Sequence, residues 1–503
     1  MSTDLISNLY GNPHSESTPS ALAGRRVDEI RLRALRFFSA DPAHFDLVFV
    51  ANATAAIKLV VEAFRDCGQG PESTDKKKQK QQGFWYGYHR DAHSSLVGVR
   101  QVTDGPHRCF ESDAEVEAWS SSIPTEAEQG RPCLFAYPGQ SNMTGRRLPL
   151  TWSSMIRQGP KRQNTHVLLD AAALATNAPL DFSNEATAPD FTSVSFYKIV
   201  GYPDLGALIV RKSSGSILEQ RRYFGGGTVD MVISIKDAWH MKKQECLHDQ
   251  LEDGTLPFHS IFALDAAMNV HRQLFGAMKD ISSHTAFLAK RLYDGLSQLR
   301  YPTGALLCHI YKDESAIYGD PTTQGATVAF NVKRPDGSVI GYTIVERLAD
   351  ERGIYLRSGG LCNPGGIATY LDWKPWEMRA AYAAGHRCSR PTEVMHGKPT
   401  GVVRVSLGAM STTSDVETLI VFLRDTFLAG VDMLGSQGTR ASGVYVDAGV
   451  QTLESVSNRA ESTYPSYKRH FNPARARRWS IDIRNYMREQ LDMRRIAYDS
   501  SGR

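Results

Sequence analysis

The chain has 503 residues, 41% of them hydrophobic and 22% charged, with a formal net charge of +4. That composition belongs to a folded protein with enough surface to bury in two or three domains. From Ser436 onward stand 12 Lys/Arg against 7 Asp/Glu, so the basic excess belongs to the tail and the near-neutral body carries no footprint for nucleic acid. No apolar run approaches the ~20 residues of a membrane span. The N-terminal Met-Ser-Thr-Asp-Leu-Ile-Ser lacks the basic and apolar regions of a secretory signal. Seven scattered cysteines, none in a Cys-x-x-Cys pair, favour neither a disulfide framework nor a zinc site. The expectation is a protein of a reducing, cytoplasmic compartment, with no metal, nucleic-acid or membrane partner.

In chain order, Tyr10-Gly-Asn-Pro-His-Ser15 reads as a turn before a helical pattern over 27–38. Asp46–Val50 reads as a short buried strand running through Ala51-Asn-Ala-Thr-Ala-Ala into a helix with Ile57, Val60, Val61 and Phe64 on one side. Strand, tight turn and helix N-terminus together make an anion site, because the first backbone N–H groups lack partners. Residues 71–83 are low-complexity and basic, the pattern of a flexible surface insertion. Strand patterns at 85–88, 133–137, 166–170 and 193–196 then alternate with helical ones, which predicts a mostly parallel sheet covered on both faces. Tyr223–Thr228 and Leu251–Thr255 read as loops before helices, and 258–300 as helical. From Tyr301 the texture turns antiparallel (306–311, 327–331, 354–358, 402–407). The domains expected are 1–300, large; 301–435, smaller; and 436–503, a flexible basic tail.

In such α/β sheets functional groups collect beyond the carboxyl ends of the strands. His93, Asn142, Asp170 and Lys198 each follow a strand or sit in the loop after one. Taken singly, each is an ordinary solvent-facing residue; four at successive strand ends argue for a common site. Thr192–Lys198 reads as a strand ending in a lysine, followed by a Gly/Pro turn and the strand Ala207–Val210. Burying an ammonium is costly, a cost acceptable where the amine must act as a nucleophile. A lysine and an aspartate on neighbouring strand ends suit pyridoxal phosphate (PLP): one holds the aldehyde and the other keeps the pyridine nitrogen protonated.

Further motifs stand in order: Gly70-Pro-Glu-Ser73, His93-Ser-Ser-Leu-Val-Gly98, Ser141-Asn-Met-Thr-Gly145, Ser195-Phe-Tyr-Lys198, Phe224-Gly-Gly-Gly-Thr228, Glu252-Asp-Gly-Thr255, Arg357-Ser-Gly-Gly-Leu-Cys362 and Gly397-Lys-Pro-Thr-Gly401. With these the chain resembles fold-type I PLP enzymes of the class V aminotransferase and cysteine desulfurase group. Most narrowly, over most of residues 10–430, it resembles the N-terminal desulfurase domain of eukaryotic molybdenum cofactor sulfurases. The resemblance implies that Lys198 binds the cofactor aldehyde, Asp170 pairs with the ring nitrogen, His93 stacks on the ring and Asn142 bonds its hydroxyl side. Backbone N–H groups of Ala53 and Thr54, with Ser195, would hold the phosphate. Thr255 would reach the phosphate of a neighbouring subunit, implying a homodimer. Arg404 would clamp the substrate carboxylate, and Cys362, in a Gly-rich mobile loop, would carry the persulfide.

The implied activity is that of a cysteine desulfurase-like sulfurtransferase, moving sulfur from L-cysteine to molybdenum cofactor or a protein acceptor. Lyase or aminotransferase chemistry on a specialised amino acid, or a non-catalytic remnant of the fold, are the alternatives. Departures from the family pattern are several. Its Tyr-Leu-Asp-His-Ala-Gly-type segment upstream of Tyr10 and its C-terminal domain are not in the sequence, Ala173 stands where a polar ring partner is usual, and Asn52-Ala53 replaces Gly-Ser or Gly-Thr. Gly360 and Ile367 replace flanking cysteines.

Overall fold

A computed structural model describes residues 2–68, 83–161 and 163–428. Most of the basic insertion at 71–83, Gly70-Pro-Glu-Ser73 and the whole 436–503 tail lie outside them. The strands of the first half are β1 Phe45–Val50, β2 Trp85–His89, β3 His107–Phe110, β4 Cys133–Pro138, β5 Thr165–Asp170, β6 Phe191–Ser195 and β7 Gly206–Arg211. They form one seven-stranded sheet in the order β1-β7-β6-β5-β4-β2-β3. From β6 to β3 every pair is parallel; β7 alone runs against its neighbours. Every residue of β2, β4 and β6 is buried, as a parallel sheet covered on both faces requires. Successive residues of one strand feed opposite layers. Phe135 and Tyr137 pack with Phe38, Trp85 and Trp152 on one face, while Leu134 and Ala136 join Ile57, Phe64 and Tyr86 on the other.

The carboxyl ends of β1, β2, β4, β5 and β6 therefore open on one edge, each ending in a predicted site residue or followed by a loop or helix that carries one. The turn after β1 enters the helix Ala53–Gly68, and Asn52 caps it by accepting the Ala55 N–H at 3.1 Å. This turn lies directly on β7: a Cβ on Gly206 would meet the Asn52 Cα at 2.6 Å and the Val194 carbonyl at 2.7 Å. Only glycine fits there.

Beyond β7 an exposed hairpin of β8 Val229–Ile233 and β9 Trp239–Lys242 replaces the helix expected after Tyr223–Thr228. Its Val, Ile and Trp residues have β preference. The helical region 258–300 is two helices, Phe258–Phe275 and Met278–Gln298, parted at Gly276 with φ 73°. A second, antiparallel sheet joins β10 Cys308–Tyr311, β11 Thr327–Val332, β12 Arg357–Gly359 and, after the two-residue ladder of β13 Val394–Met395 with β14 Lys398–Pro399, β15 Val402–Ser406. It keeps its own core with Leu288, Leu292, Phe330, Val345, Val403 and Leu419.

The expected strand through Lys198 stops at Ser195. Residues Phe196–Val200 form one helical turn, ended by Gly201 in the left-handed region at φ 81°. The glycine after it is helix punctuation that the β-type residues masked, while Ser195 stands at the N-cap position without a side-chain capping bond.

Candidate active site

One cavity of about 1000 Å³ lies between the two sheets. It is lined by Ala53, Thr54, His93, Asn142, Asp170, Ser195 and Lys198 from the large sheet's edge, and by Arg357, Cys362 and Arg404 from the second sheet and its loop. Of the predicted site residues only Thr255 is outside it; that threonine is exposed.

Asp170 ends β5 and is 6% exposed, with Oδ1 accepting the Ala172 N–H at 3.0 Å. Because β5 and β6 are adjacent and parallel, Asp170 and Lys198 lie at neighbouring strand ends. Lys198 is not buried as the sequence led one to expect: on its helical turn it is exposed and lines the cavity. Ser195 Oγ accepts the Ala53 N–H at 3.1 Å, which ties the end of β6 to the N-terminus of the helix Ala53–Gly68. His93 caps the short helix Ser94–Val97. Its Nδ1 accepts the Ser95 N–H at 3.2 Å, and burial lowers its pKa, helped by the Lys198 charge and opposed by Asp170.

Arg404 sits mid-strand in β15, between Ala329 of β11 and Arg357 of β12. Its Nη1 donates to the Asn142 carbonyl at 2.7 Å, while its buried Nε has no hydrogen-bond partner among the described residues. Among the described residues the guanidinium makes no other hydrogen bond, which leaves its Nε–Nη2 edge without a partner there. Burial lowers the Arg404 pKa, and the Arg357 charge adds to the effect.

Cys362 is exposed and follows Leu361; both have left-handed backbone, at φ 54° and 53°. Such a conformation costs roughly 1–2 kcal/mol per non-glycine residue, so the loop must be held. The Ser94 N–H donates to the Cys362 carbonyl at 2.8 Å, and Asn142 Nδ2 donates to the Leu361 carbonyl at 2.7 Å. Gly365 lies against the Arg90 carbonyl so closely that a Cβ would stand 2.0 Å from its oxygen. A loop expected from its glycines to be mobile is tethered along its downstream half.

Sequence reasoning missed a buried charge network beneath this loop. His89, fully buried at the end of β2, lies 3.4 Å from Asp113, and Arg146 pairs with Asp113, with Asp91 at 3.4 Å and with Asp313 at 3.5 Å. Asp313, from the second half of the chain, joins the two sheets through it. Nothing in the spacing of these residues reveals the cluster. Asn363 was also missed as a site residue, though Asn363-Pro364 is a helix-start signal.

The fold is that of cysteine desulfurases: the enzyme of that name from Thermococcus onnurineus NA1 superposes with a TM-score of 0.62 at 18% identity, covering 85% of this chain and 90% of that one. The family profile described as Aminotransferase class-V matches residues 123–374, and the chain belongs to that family. It is 54% identical to a molybdenum cofactor sulfurase of Aspergillus niger over 454 residues, 89% of this chain and 53% of that protein. To the molybdenum cofactor sulfurase of Aspergillus clavatus it is 55% identical over 429 residues, 85% of this chain and 49% of the relative. The chain spans about half the length of the curated relatives it matches.

Proposed function

We propose that the chain binds PLP at Lys198 and works as a cysteine desulfurase, taking sulfur from L-cysteine onto Cys362 for an acceptor such as molybdenum cofactor. The observation that carries this is the meeting, on one cavity, of Lys198, Asp170 and the Ala53 turn from one sheet with Arg404 and Cys362 from the other. The residues fit the cofactor: a cavity-facing amine, a buried carboxylate at the adjacent strand end, a helix N-terminus for the phosphate and an unpaired guanidinium edge for a carboxylate. Bound there, PLP supplies an electron sink for charge at the substrate's α-carbon.

In this reading Lys198 Nζ is the anchoring amine and, when released, the proton carrier. The Asp170 carboxylate holds the proton on the pyridine nitrogen, the His93 ring stacks on the cofactor, and Ala53, Thr54 and Ser195 hold the phosphate. The Nε–Nη2 edge of Arg404 takes the substrate carboxylate in two parallel bonds. Cys362 Sγ, as thiolate, attacks the substrate sulfur. The substrate C–S bond breaks, its electron pair stays on the β-carbon and is protonated, alanine leaves, and the sulfur remains on Cys362 as a persulfide. Thr255, outside its own cavity, is assigned to the phosphate site of a second copy in a homodimer, and the cytoplasm is the proposed compartment. No helix among the described residues is long and apolar enough to cross a membrane. Residues 1–300 and 301–435 are the proposed large and small domains.

The test is to purify the chain with PLP, supply L-cysteine and assay the products. The proposal requires alanine, with sulfide released in step by a reductant. Pyruvate or another keto acid in place of alanine replaces it with lyase or transaminase chemistry, for which Ala173, an apolar side chain on the cavity wall, already departs from the desulfurase pattern.

A further inference from the structure

Asn363 is fully buried, next in the chain to an exposed cysteine. Its Oδ1 accepts the Gly366 N–H at 2.8 Å, capping the helix Pro364–Tyr370. Its Nδ2 donates to Asn142 Oδ1 at 2.9 Å and to the Asp91 carbonyl at 3.2 Å. The polarity of this chain of amides is fixed from both ends. The Leu361 carbonyl can only accept, so Asn142 presents Nδ2 to it and Oδ1 to Asn363; the Gly366 N–H can only donate, so Asn363 presents Oδ1 to it and Nδ2 to Asn142. Asn142 is thereby gripped from both sides of Cys362, by Leu361 and by Asn363, while its own carbonyl holds Arg404. Asp91, fully buried and ion-paired to Arg146, makes the other anchor rigid.

We infer that Asn363 is a positioning residue, which registers the Cys362 loop against Asn142 so that the thiol and the Arg404 guanidinium share one frame. This rests on the desulfurase reading for its consequence in sulfur transfer, though not for the geometry itself. The two left-handed residues at 361 and 362 would not keep their conformation without such a tether. An attacking atom displaced by about 1 Å costs on the order of 100-fold in rate, and the Asn363 tether acts on the downstream side of Cys362, beside the Ser94 N–H bond to the Cys362 carbonyl.

The discriminating variant is Asn363→Asp. Aspartate keeps the shape and the helix cap, since it still accepts the Gly366 N–H, yet as a carboxylate it donates to neither Asn142 Oδ1 nor the Asp91 carbonyl, and even when protonated it offers one O–H where the amide offers two N–H groups. Asn363→Ala, which loses cap and donors together, is the comparison. The PLP-loaded Asn363→Asp protein should keep its visible cofactor spectrum and its affinity for L-cysteine within about threefold, while single-turnover persulfide formation on Cys362 falls at least ~10-fold. Hydrogen exchange of backbone amides at 360–366 should quicken in the same variant, whereas exchange in 364–370 beyond the first turn should quicken only in Asn363→Ala. Persulfide formation at the wild-type rate, with unchanged exchange at 360–366, would overturn the inference. If wild-type protein forms no persulfide at all, the desulfurase reading fails and the exchange comparison alone decides the positioning role: faster exchange at 360–366 supports it and unchanged exchange ends it.

Discussion

Replacing Arg404 by lysine probes the substrate clamp directly. Nη1 is spent on the Asn142 carbonyl at 2.7 Å, and Nε is buried with no partner among the described residues. The edge left over matches a carboxylate in two bonds, which a lysine ammonium cannot reproduce. One charge-assisted bond contributes about 1.5–3 kcal/mol, so Arg404→Lys should lower kcat/KM for L-cysteine by roughly 10- to 150-fold. Arg404→Ala, which forfeits both bonds, should lose at least that much again. The loss should fall mainly on KM and on the cysteine concentration that perturbs the visible cofactor spectrum, because the clamp acts in ground and transition state alike. A pH signature follows as well. The same burial and Arg357 charge that lower the Arg404 pKa would act on a lysine there, whose ordinary pKa is already about two units lower. The variant should therefore lose affinity further as the solution turns alkaline, while wild type should not. Alanine release with kcat/KM within twofold of wild type in both variants would refute the clamp.

Lys198→Ala should bind PLP without any adduct that borohydride can fix, whereas wild type should yield one on Lys198; an adduct mapped to another lysine would contradict the site. The His93 pKa is lowered in the fold, so the unfolded chain takes up this proton first as pH falls. Stability attached to neutral His93 is full above about pH 6.5 and is lost as pH drops from there through the folded value. The fall in Tm over that range should be shallower in His93→Gln. Gly206→Ala places a Cβ 2.6 Å from Asn52 Cα, against backbone that cannot swing aside. It should cost about 1–3 kcal/mol in urea unfolding and weaken PLP retention; unchanged stability would show the Asn52 turn to be slack.

Much of the sheet was legible because its parallel strands are buried on both faces. Runs such as Cys133-Leu-Phe-Ala-Tyr137 and Val167-Leu-Leu-Asp170 announce themselves without periodicity. The edge strand His107–Phe110, with only Phe110 buried, left no such signal, and the hairpin after Gly227 was hidden by its glycine-rich approach. At the site, the residues after the strand ends were all placed on one cavity, as the topology of a parallel sheet dictates. Lys198 was given the wrong local structure, because Phe-Tyr-Lys-Ile-Val has β-type side chains and yet lies between a serine and a left-handed glycine. What the sequence could not show is contact at long range. Asn363 meets Asn142 across 221 positions and Arg404 meets the Asn142 carbonyl across 262, and no local pattern encodes either. The tether of the Cys362 loop, which governs where its thiol points, belongs to the tertiary fold.

The central claim is that sulfur passes through Cys362, and mass analysis of that residue tests it most directly. Wild-type protein loaded with PLP and given one equivalent of L-cysteine without reductant should carry one added sulfur on the Cys362 peptide, removed by a thiol reductant, with alanine formed in equal amount. Cys362→Ser should show the same cysteine-induced change in the cofactor spectrum but form neither persulfide nor alanine, since a hydroxyl is a far poorer nucleophile toward sulfur at neutral pH. Full turnover of cysteine to alanine by Cys362→Ser, or an added sulfur found on another cysteine of the wild-type chain, would contradict the account.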